Sequence, residues 1–335
     1  MLPRIQTIAM VWATAHRYYI ENLYYSKKAL DLTSPGTAFL RLPKNTQGVL
    51  WMILATFVLA TVNVIVKHLT NDYSVMQLVW ARYIFHIVLV VAFLRSKFFQ
   101  GFITDNIKIQ LSRSALLATG TVLYFVGLIY VQIAEASSSS FIIPVIVTAL
   151  AAPILGEKVG LRRWIGVLIG AIGALIIIRP GMGMMHIAIL FPFGTAFVHA
   201  FYQILTRKLS GADCSMTTLA YTAVVGTVLS SLAAPFYWTT PDLEGWVLMA
   251  LIGILGGLGH YFLIRAYENA EAPVVAPFFY THFLWTTLFG VTVFGDLPDM
   301  WTFIGAGVIF MSGLYIHHRE NVRRVEVSAP KDPNI

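Results

Sequence analysis

The sequence predicts an all-α integral membrane protein: ten transmembrane helices in two inverted five-helix repeats, with both termini cytoplasmic. Three observations predict it. The chain holds ten apolar runs of span length, its lysines and arginines fall on one side of the connections between them, and its pattern starts again near the middle. Composition agrees. Hydrophobic residues make up 57% of the chain and charged residues 12%, against about 25% charged in soluble domains. The mean hydropathy is +0.72.

A helix needs about 20 mostly apolar residues to cross a bilayer. Such runs lie at 47–67, 75–94, 111–131, 136–155, 161–178, 184–205, 216–237, 245–265, 272–294 and 299–317. Irregular backbone facing lipid would leave peptide groups unsatisfied, so these runs are read as a helical bundle, and no segment has the alternation of a β-barrel. Residues 1–46 form a cytoplasmic or interfacial extension. Its stretch VWATAHRYYIENLYY (11–25) is interrupted by His16, Arg17, Glu21 and Asn22 and lacks the apolar core and cleavage site of a signal peptide. An interfacial helix, a weakly ordered tail and a start codon set too far upstream are the open readings of it. Residues 320–335 read as a cytoplasmic tail.

Orientation follows from the basic residues. With the N-terminus inside, 20 of the 23 lysines and arginines fall in cytoplasmic segments, among them Arg113, counted there although it stands at the very start of the third run. Lys67 and Arg179 lie on the other side, and Arg82 is read as the one basic residue inside a span. The high pI of about 9.4 reflects this rim, so nucleic acid is not an expected partner. The lipid bilayer is, and the expected location is the bacterial inner membrane. A single cysteine, Cys214, excludes a disulfide framework and a Cys-rich metal site; no metal or cofactor is expected.

The repeat is the most informative feature. ILGEKVGLRRWIGVLIGAIGALIIIR (154–179) aligns with VFGDLPDMWTFIGAGVIFMSGLYIHHR (293–319), pairing Gly156 with Gly295 and Glu157 with Asp296. KHLTNDYSVM (67–76) aligns with RKLSGADCSM (207–216). The repeats are read as 47–179 and 184–319. Five helices each means the second copy enters the membrane from the opposite side, an architecture of secondary transporters whose substrate sites lie near the midplane between repeats.

The tract from IAEASSSSFIIPVIVTALAAPILGEKVG through LRRWIGVLIGAIGALII resembles the fourth and fifth helices of the EamA module. It has a run of small residues, a proline within the helix, Gly-Glu at the turn, a basic pair before Trp164 and glycine spacing afterwards. This is similar to the drug/metabolite transporter superfamily, over about residues 48–319. The second copy departs from it: Asp296 replaces the glutamate, and Leu297, Pro298 and Trp301 replace the basic positions. The resemblance implies a central cavity lined mainly by helices 1, 3, 4, 6, 8 and 9 and movement of a small organic solute across the inner membrane. Within that superfamily LVWARYIFH (78–86) looks most like the bacterial riboflavin-transporter group.

The candidate substrate-binding residues are polar and aromatic groups deep in the spans: Asn63, Arg82, His86, Tyr124, His199, Gln203, His260, Tyr280, His282 and Trp285. An arginine inside a span costs about 2.5–3.5 kcal/mol on insertion scales, so Arg82 should face the bundle, either anchoring a polar group of the substrate or locked to helix-end carbonyls or Asp72. His86 follows one turn later. Asn63 matches Gln203, and Tyr124 matches His260, between the copies; YTHFLWTT (280–287) supplies flat surfaces with hydrogen-bonding tips. Each of these has a plain packing reading beside the functional one.

All 16 acidic residues fall in connections or at helix ends. A carrier coupled to protons or sodium usually keeps a carboxylate mid-membrane, so facilitated diffusion, exchange or coupling through histidine is expected. Pro144 and Pro277 should loosen the fourth and ninth helices. Glu157 should cap the fifth helix or pair with a nearby basic residue. Gly166, Gly170, Gly173, Gly305 and Gly313 suit close packing within the bundle or between protomers, which leaves a homodimer open.

No His-Glu-x-x-His, Gly-x-Ser-x-Gly or P-loop pattern occurs, so an enzyme is not expected. The expected function is alternating-access transport of a small organic metabolite, with riboflavin uptake as the first reading. Export of amino acids or related metabolites is the alternative, and an intramembrane enzyme or receptor comes behind both.

Overall fold

The computed structural model describes residues 39, 41–94, 102–131, 133–157, 160–178, 190–295 and, beyond these, 300–301, 304–305, 307–308 and 311–312. The described residues are helical and form no strand. The chain divides into Met1–Pro43, of which Phe39 and Arg41–Pro43 are described, and Lys44–Ile335. The expected readings of 11–25 and of the tail 320–335 lie outside the described residues.

The helices of the second unit are α1 (Lys44–Leu69), α2 (Val75–Leu94), α3 (Ile107–Tyr130), α4 (133–155), α5 (Leu161–Ile178), α6 (Leu190–Leu209), α7 (Ser215–Ser231), α8 (Leu243–Asn269) and α9 (Ala272–Phe294). Described residues between 300 and 312 are also helical. Among the described residues, five helices are long and apolar enough to cross a membrane: α1, α2, α3, α8 and α9, of 20 to 27 residues. At 1.5 Å per residue these reach about 30–40 Å, the thickness of a bilayer's core or more.

Local chemistry sets the ends. Asp242 starts α8 by accepting the Gly245 N–H at 2.8 Å, with Glu244 in the first turn complementing the helix dipole. The run expected to continue to 237 instead stops at Ser231, because Pro235 lacks an N–H and opens a 3₁₀ turn over Ala234–Tyr237.

The prolines act as expected on the fourth and ninth helices. α4 passes from α-helix (Ile133–Ser138) through a 3₁₀ turn (Ser139–Phe141) to α-helix (Ile142–Leu150) and a π turn (Ala151–Leu155). α9 repeats the sequence: Ala272–Val275, Ala276–Tyr280, Thr281–Phe289 and Gly290–Phe294. Both end on a glycine in the left-handed region, Gly156 at φ +69° and Gly295 at φ +74°, where a side chain would be strained.

The main packing pairs are α1 with α8 and α9, α3 with α6 and α7, α2 with α7 and α8, and α4 with α6. Val88, Val91 and Phe93 of α2 and Leu168, Ile172 and Leu175 of α5 stay exposed, apolar faces suited to lipid. One core layer joins Met52 and Ala55 of α1 to Leu263 and Tyr267 of α8 and Val274 of α9; another joins Val62 and Val66 of α1 to Leu78 of α2, Phe125 of α3 and Ile252 of α8. Within the chain, the Gly170 face receives the Tyr280 ring, and the Gly166 carbonyl accepts the Ser312 hydroxyl.

Candidate functional site

Glycines of α8 let α2 approach to backbone contact. A Cβ at Gly253 would lie 2.4 Å from Phe85 Cβ and 3.0 Å from the carbonyl oxygens of Ala81 and Arg82. A Cβ at Gly256 would stand 3.3 Å from Arg82 Nε, and one at Gly257 would stand 2.7 Å from His86 Cδ2. The room these glycines leave holds Arg82 and His86.

Arg82 is 7% exposed and donates from Nη2 to His260 Nε2 at 2.8 Å. A guanidinium can only donate, so that ring nitrogen is bare and the imidazole proton sits on Nδ1, which donates to the Tyr202 hydroxyl at 3.0 Å. Tyr202 accepts a second bond at 2.9 Å, from Arg113 Nη2. Arg113 then reaches Thr206 Oγ1 through Nε (2.7 Å), and Thr222 Oγ1 (2.6 Å) and the Thr218 carbonyl (3.3 Å) through Nη1. Its guanidinium lies 4.6 Å from the centre of the Tyr202 ring, and that of Arg82 lies 5.5 Å from the centre of Phe125. One chain of bonds thus runs from α2 through α8 and α6 to α3 and α7.

This network corrects two expectations. Arg113 does not belong to the basic rim: it is 0% exposed inside α3, which begins at Ile107, ahead of its apolar run. Hydropathy scores its charge as surface, while in the fold two threonine hydroxyls, a carbonyl and a phenol replace water around it. Arg82 is therefore not the one basic residue inside a span. Its partner is His260, neither a helix-end carbonyl nor Asp72.

A second cluster joins α1, α3, α4 and α9. The Asn63 side-chain nitrogen lies 3.0 Å from His282 Nε2 and 3.4 Å from the Tyr124 hydroxyl, which lies 3.0 Å from Ser137 Oγ. His282 stacks on Phe279 at 5.7 Å, and its Nδ1 is buried with no hydrogen-bond partner.

The structure thus joins Arg82 to His260, and Asn63 to Tyr124 and His282. The remaining candidates stand differently. Gln203 accepts from the Tyr267 hydroxyl at 2.5 Å while its Nε2 has no partner. His86 Nε2, His199 Nε2 and Trp285 Nε1 are buried and unpartnered; the His199 ring lies 5.9 Å from Tyr202, and Trp285 meets Phe57 edge-on at 5.3 Å. Tyr280 turns to α5, donating to the Val167 carbonyl at 3.2 Å. Sequence reasoning missed Arg113, Tyr202 and the glycines of α8. The string GILGGLG (253–259) ahead of His260 and the four-residue spacing of Tyr202 and Thr206 were the available signals.

Where α4, α6 and α8 finish and α9 starts, Glu157 joins them. Its Oε1 accepts from Arg207 Nε at 2.5 Å and its Oε2 from the Ala272 N–H at 3.0 Å, while Arg207 Nη1 donates to the Tyr267 carbonyl at 2.7 Å. Glu157 therefore pairs with a basic residue, as expected, but caps the start of α9 rather than the fifth helix. At the ends of α1 and α3, Lys67 donates to the Leu128 and Val131 carbonyls. Side-chain exposures of 22% for Arg207 and 10% for Glu157 put this ion pair between the exposed and buried regimes. Glu157→Ala should accordingly cost about 2 kcal/mol and lower the apparent Tm of purified protein. An unchanged Tm would show that the contact carries no stability.

Buried donors and imidazoles inside an all-helical, multi-pass membrane bundle define the class: a membrane protein built around an internal polar site. The chain belongs to the EamA-like transporter family, whose profile matches residues 46–179 and again 186–316. It is 30% identical to a riboflavin transporter of Vibrio cholerae over 81% of this chain and 92% of that protein. It is 25% identical to an S-adenosylmethionine uptake transporter of Rickettsia prowazekii over 82% of this chain and 93% of that one, and 29% identical to a riboflavin transporter of Rhizobium johnstonii over 82% and 91%. A solved crystal structure matches the fold at a TM-score of 0.70 and 16% identity, covering 84% of this chain and 99% of that one. The protein is a transporter of small metabolites, not an enzyme.

Proposed function

We propose that this chain is an inner-membrane secondary transporter with ten spans in two inverted five-helix repeats and both termini cytoplasmic, and that it takes up riboflavin by alternating access. The observation that carries the reading is the Arg82 guanidinium, held by His260 between α2 and α8 with donors to spare, in a bundle that also buries unpartnered nitrogens of His86, His199 and Trp285. Such a setting suits a planar solute rich in acceptors. The inverted repeat is supported by the packing pairs: adding five to each helix number turns α1–α8 into α6–α3, α2–α8 into α7–α3, and α1–α9 into α6–α4. The matching interruptions of α4 and α9, and the backbone contacts of Lys67 with Val131 and of Arg207 with Tyr267, support it again. Asn63, Arg82, His86, Tyr124, His199, Gln203, His260, Tyr280, His282 and Trp285 remain the proposed binding set, with Tyr280 placed at its α5 side.

S-adenosylmethionine uptake is the second reading, supported by the uptake transporter of that solute to which the chain is 25% identical. The test is uptake of radiolabelled riboflavin by a riboflavin-auxotrophic bacterium expressing the chain, beside Arg82→Ala and Trp285→Ala variants matched for membrane abundance. Saturable uptake is expected, lower by about 10–100-fold in Arg82→Ala, the worth of a charge-assisted hydrogen bond. Uptake no higher than with the empty vector at good expression would sink the riboflavin assignment, and labelled S-adenosylmethionine in the same cells would then decide the second.

A further inference from the structure

The polar cluster of α1, α3, α4 and α9 has one direction of hydrogen bonding, and it is set at a backbone carbonyl. Ser137 Oγ donates to the Ile133 carbonyl at 2.7 Å, which uses the only hydrogen that hydroxyl has. The Tyr124 hydroxyl, 3.0 Å from Ser137 Oγ, must therefore be the donor of that pair, and its oxygen is left to accept. The Asn63 group facing that oxygen at 3.4 Å is then the amide nitrogen, and the same nitrogen faces His282 Nε2 at 3.0 Å. Each of its hydrogens has one acceptor. An amide turned the other way would set its oxygen against a Tyr124 oxygen with no hydrogen to offer.

His282 Nε2 thus accepts, so the imidazole proton sits on Nδ1. That N–H belongs to a residue 4% exposed and has no hydrogen-bond partner among the described residues. Phe279 stacks on the ring at 5.7 Å and 13°, covering one face and holding its plane. A buried donor left empty is unfavourable by itself. None of the four side chains is a carboxylate, an ammonium or a guanidinium, so the natural complement to this donor is an uncharged acceptor. The Asn63–His282 bond also joins the two stretches that match the family profile, and solute sites of repeat-built transporters lie between the repeats.

We propose that His282 is a specificity-determining donor, whose Nδ1–H receives one uncharged acceptor of the solute, a carbonyl oxygen or a ring nitrogen. Asn63, Tyr124 and Ser137 are positioning residues that keep the proton on that nitrogen. The contact with the solute rests on the transport reading; the position of the proton does not.

The test is nitrogen NMR of the purified full chain in nanodiscs, carrying isotope-labelled histidine, with the His282 signals assigned by their loss in His282→Phe. Wild type should show a protonated Nδ1 and a bare Nε2. Asn63→Leu removes the donor to Nε2, and a protonated Nε2 should appear. Should that variant fail to fold, Tyr124→Phe lets the amide turn over and should give the same signal in part. A proton on Nε2 in wild type, or on both nitrogens, would overturn the proposal, as would variant signals identical to those of wild type. Riboflavin, added next, should shift the Nδ1 signal saturably, and His282→Phe should bind it with an about 2–10-fold higher Kd, the worth of one hydrogen bond. Riboflavin bound with no change at Nδ1 refutes the donor and leaves the transport reading standing. No binding of riboflavin refutes that substrate, and S-adenosylmethionine then takes its place as the probe under the same criteria. Binding of neither refutes the assigned substrates and the solute contact together, while the protonated Nδ1 stands.

Discussion

Arg113→Ala should be the most destabilising single change in the bundle, lowering stability by about 3–5 kcal/mol. Arg113 is fully buried and ties α3 to α6 and α7 through four hydrogen bonds, to Thr206, Thr218, Thr222 and Tyr202. Truncation removes those bonds, the stacking on Tyr202 and most of a large side chain, in a place the helices cannot collapse to fill. One term opposes the loss: the buried charge goes too, and its desolvation is worth several kcal/mol. Arg113→Met separates the two effects, because it restores volume without charge, and it should fall between alanine and wild type. Apparent Tm in detergent for the three proteins checks the order. Arg113→Ala within about 1 kcal/mol of wild type would mean that the network is not structural.

Gly253→Ala should also be severe, and Gly256→Ala mild, although both glycines face α2. Alanine is favoured over glycine in a helix by about 1 kcal/mol, so each substitution begins with a gain. At Gly253 the new methyl would meet Phe85 Cβ at 2.4 Å and two α2 carbonyl oxygens at 3.0 Å. Backbone cannot rotate aside, so α2 and α8 must part, at about 1–3 kcal/mol, and the 2.8 Å bond from Arg82 to His260 parts with them. At Gly256 the nearest atom is Arg82 Nε at 3.3 Å, on a side chain that can give. Tm and uptake measured together read both effects: Gly253→Ala should lose stability and transport. Equal Tm values for the two variants would contradict the backbone contact.

These two residues also mark how much of the molecule was legible in its sequence. Gly253 lies in a glycine string whose spacing permits close helix contact but was passed over, and which helix it contacts depends on packing across the two matched stretches. Arg113 was misplaced because hydropathy measures a residue against water or lipid, while this one is solvated by hydroxyls from two other helices. Arg82 was found because a charge inside an apolar run stands out, but its partner lies 178 positions away rather than at the nearby Asp72. The turn at Glu157 divided the same way: its pairing with a basic residue was foreseen, whereas the peptide it caps at Ala272 was not.

The sequence by itself determined that the chain is helical and membrane-embedded, where α4 and α9 are interrupted, and that it belongs among transporters of this family. Those properties are local or compositional: apolar length, the missing N–H of proline, glycine at a left-handed turn and motif spacing all act within a few residues. Only the tertiary structure decided which polar groups meet. Asn63 joins Tyr124 and His282, and Arg82 joins His260, Tyr202 and Arg113, because α1 packs on α8 and α9, α2 on α8, and α3 on α6. The physical reason is that lipid gives apolar helices no preference for one another. Close backbone approach and the satisfaction of buried polar groups select the partners, and both are properties of pairs of helices rather than of any one segment.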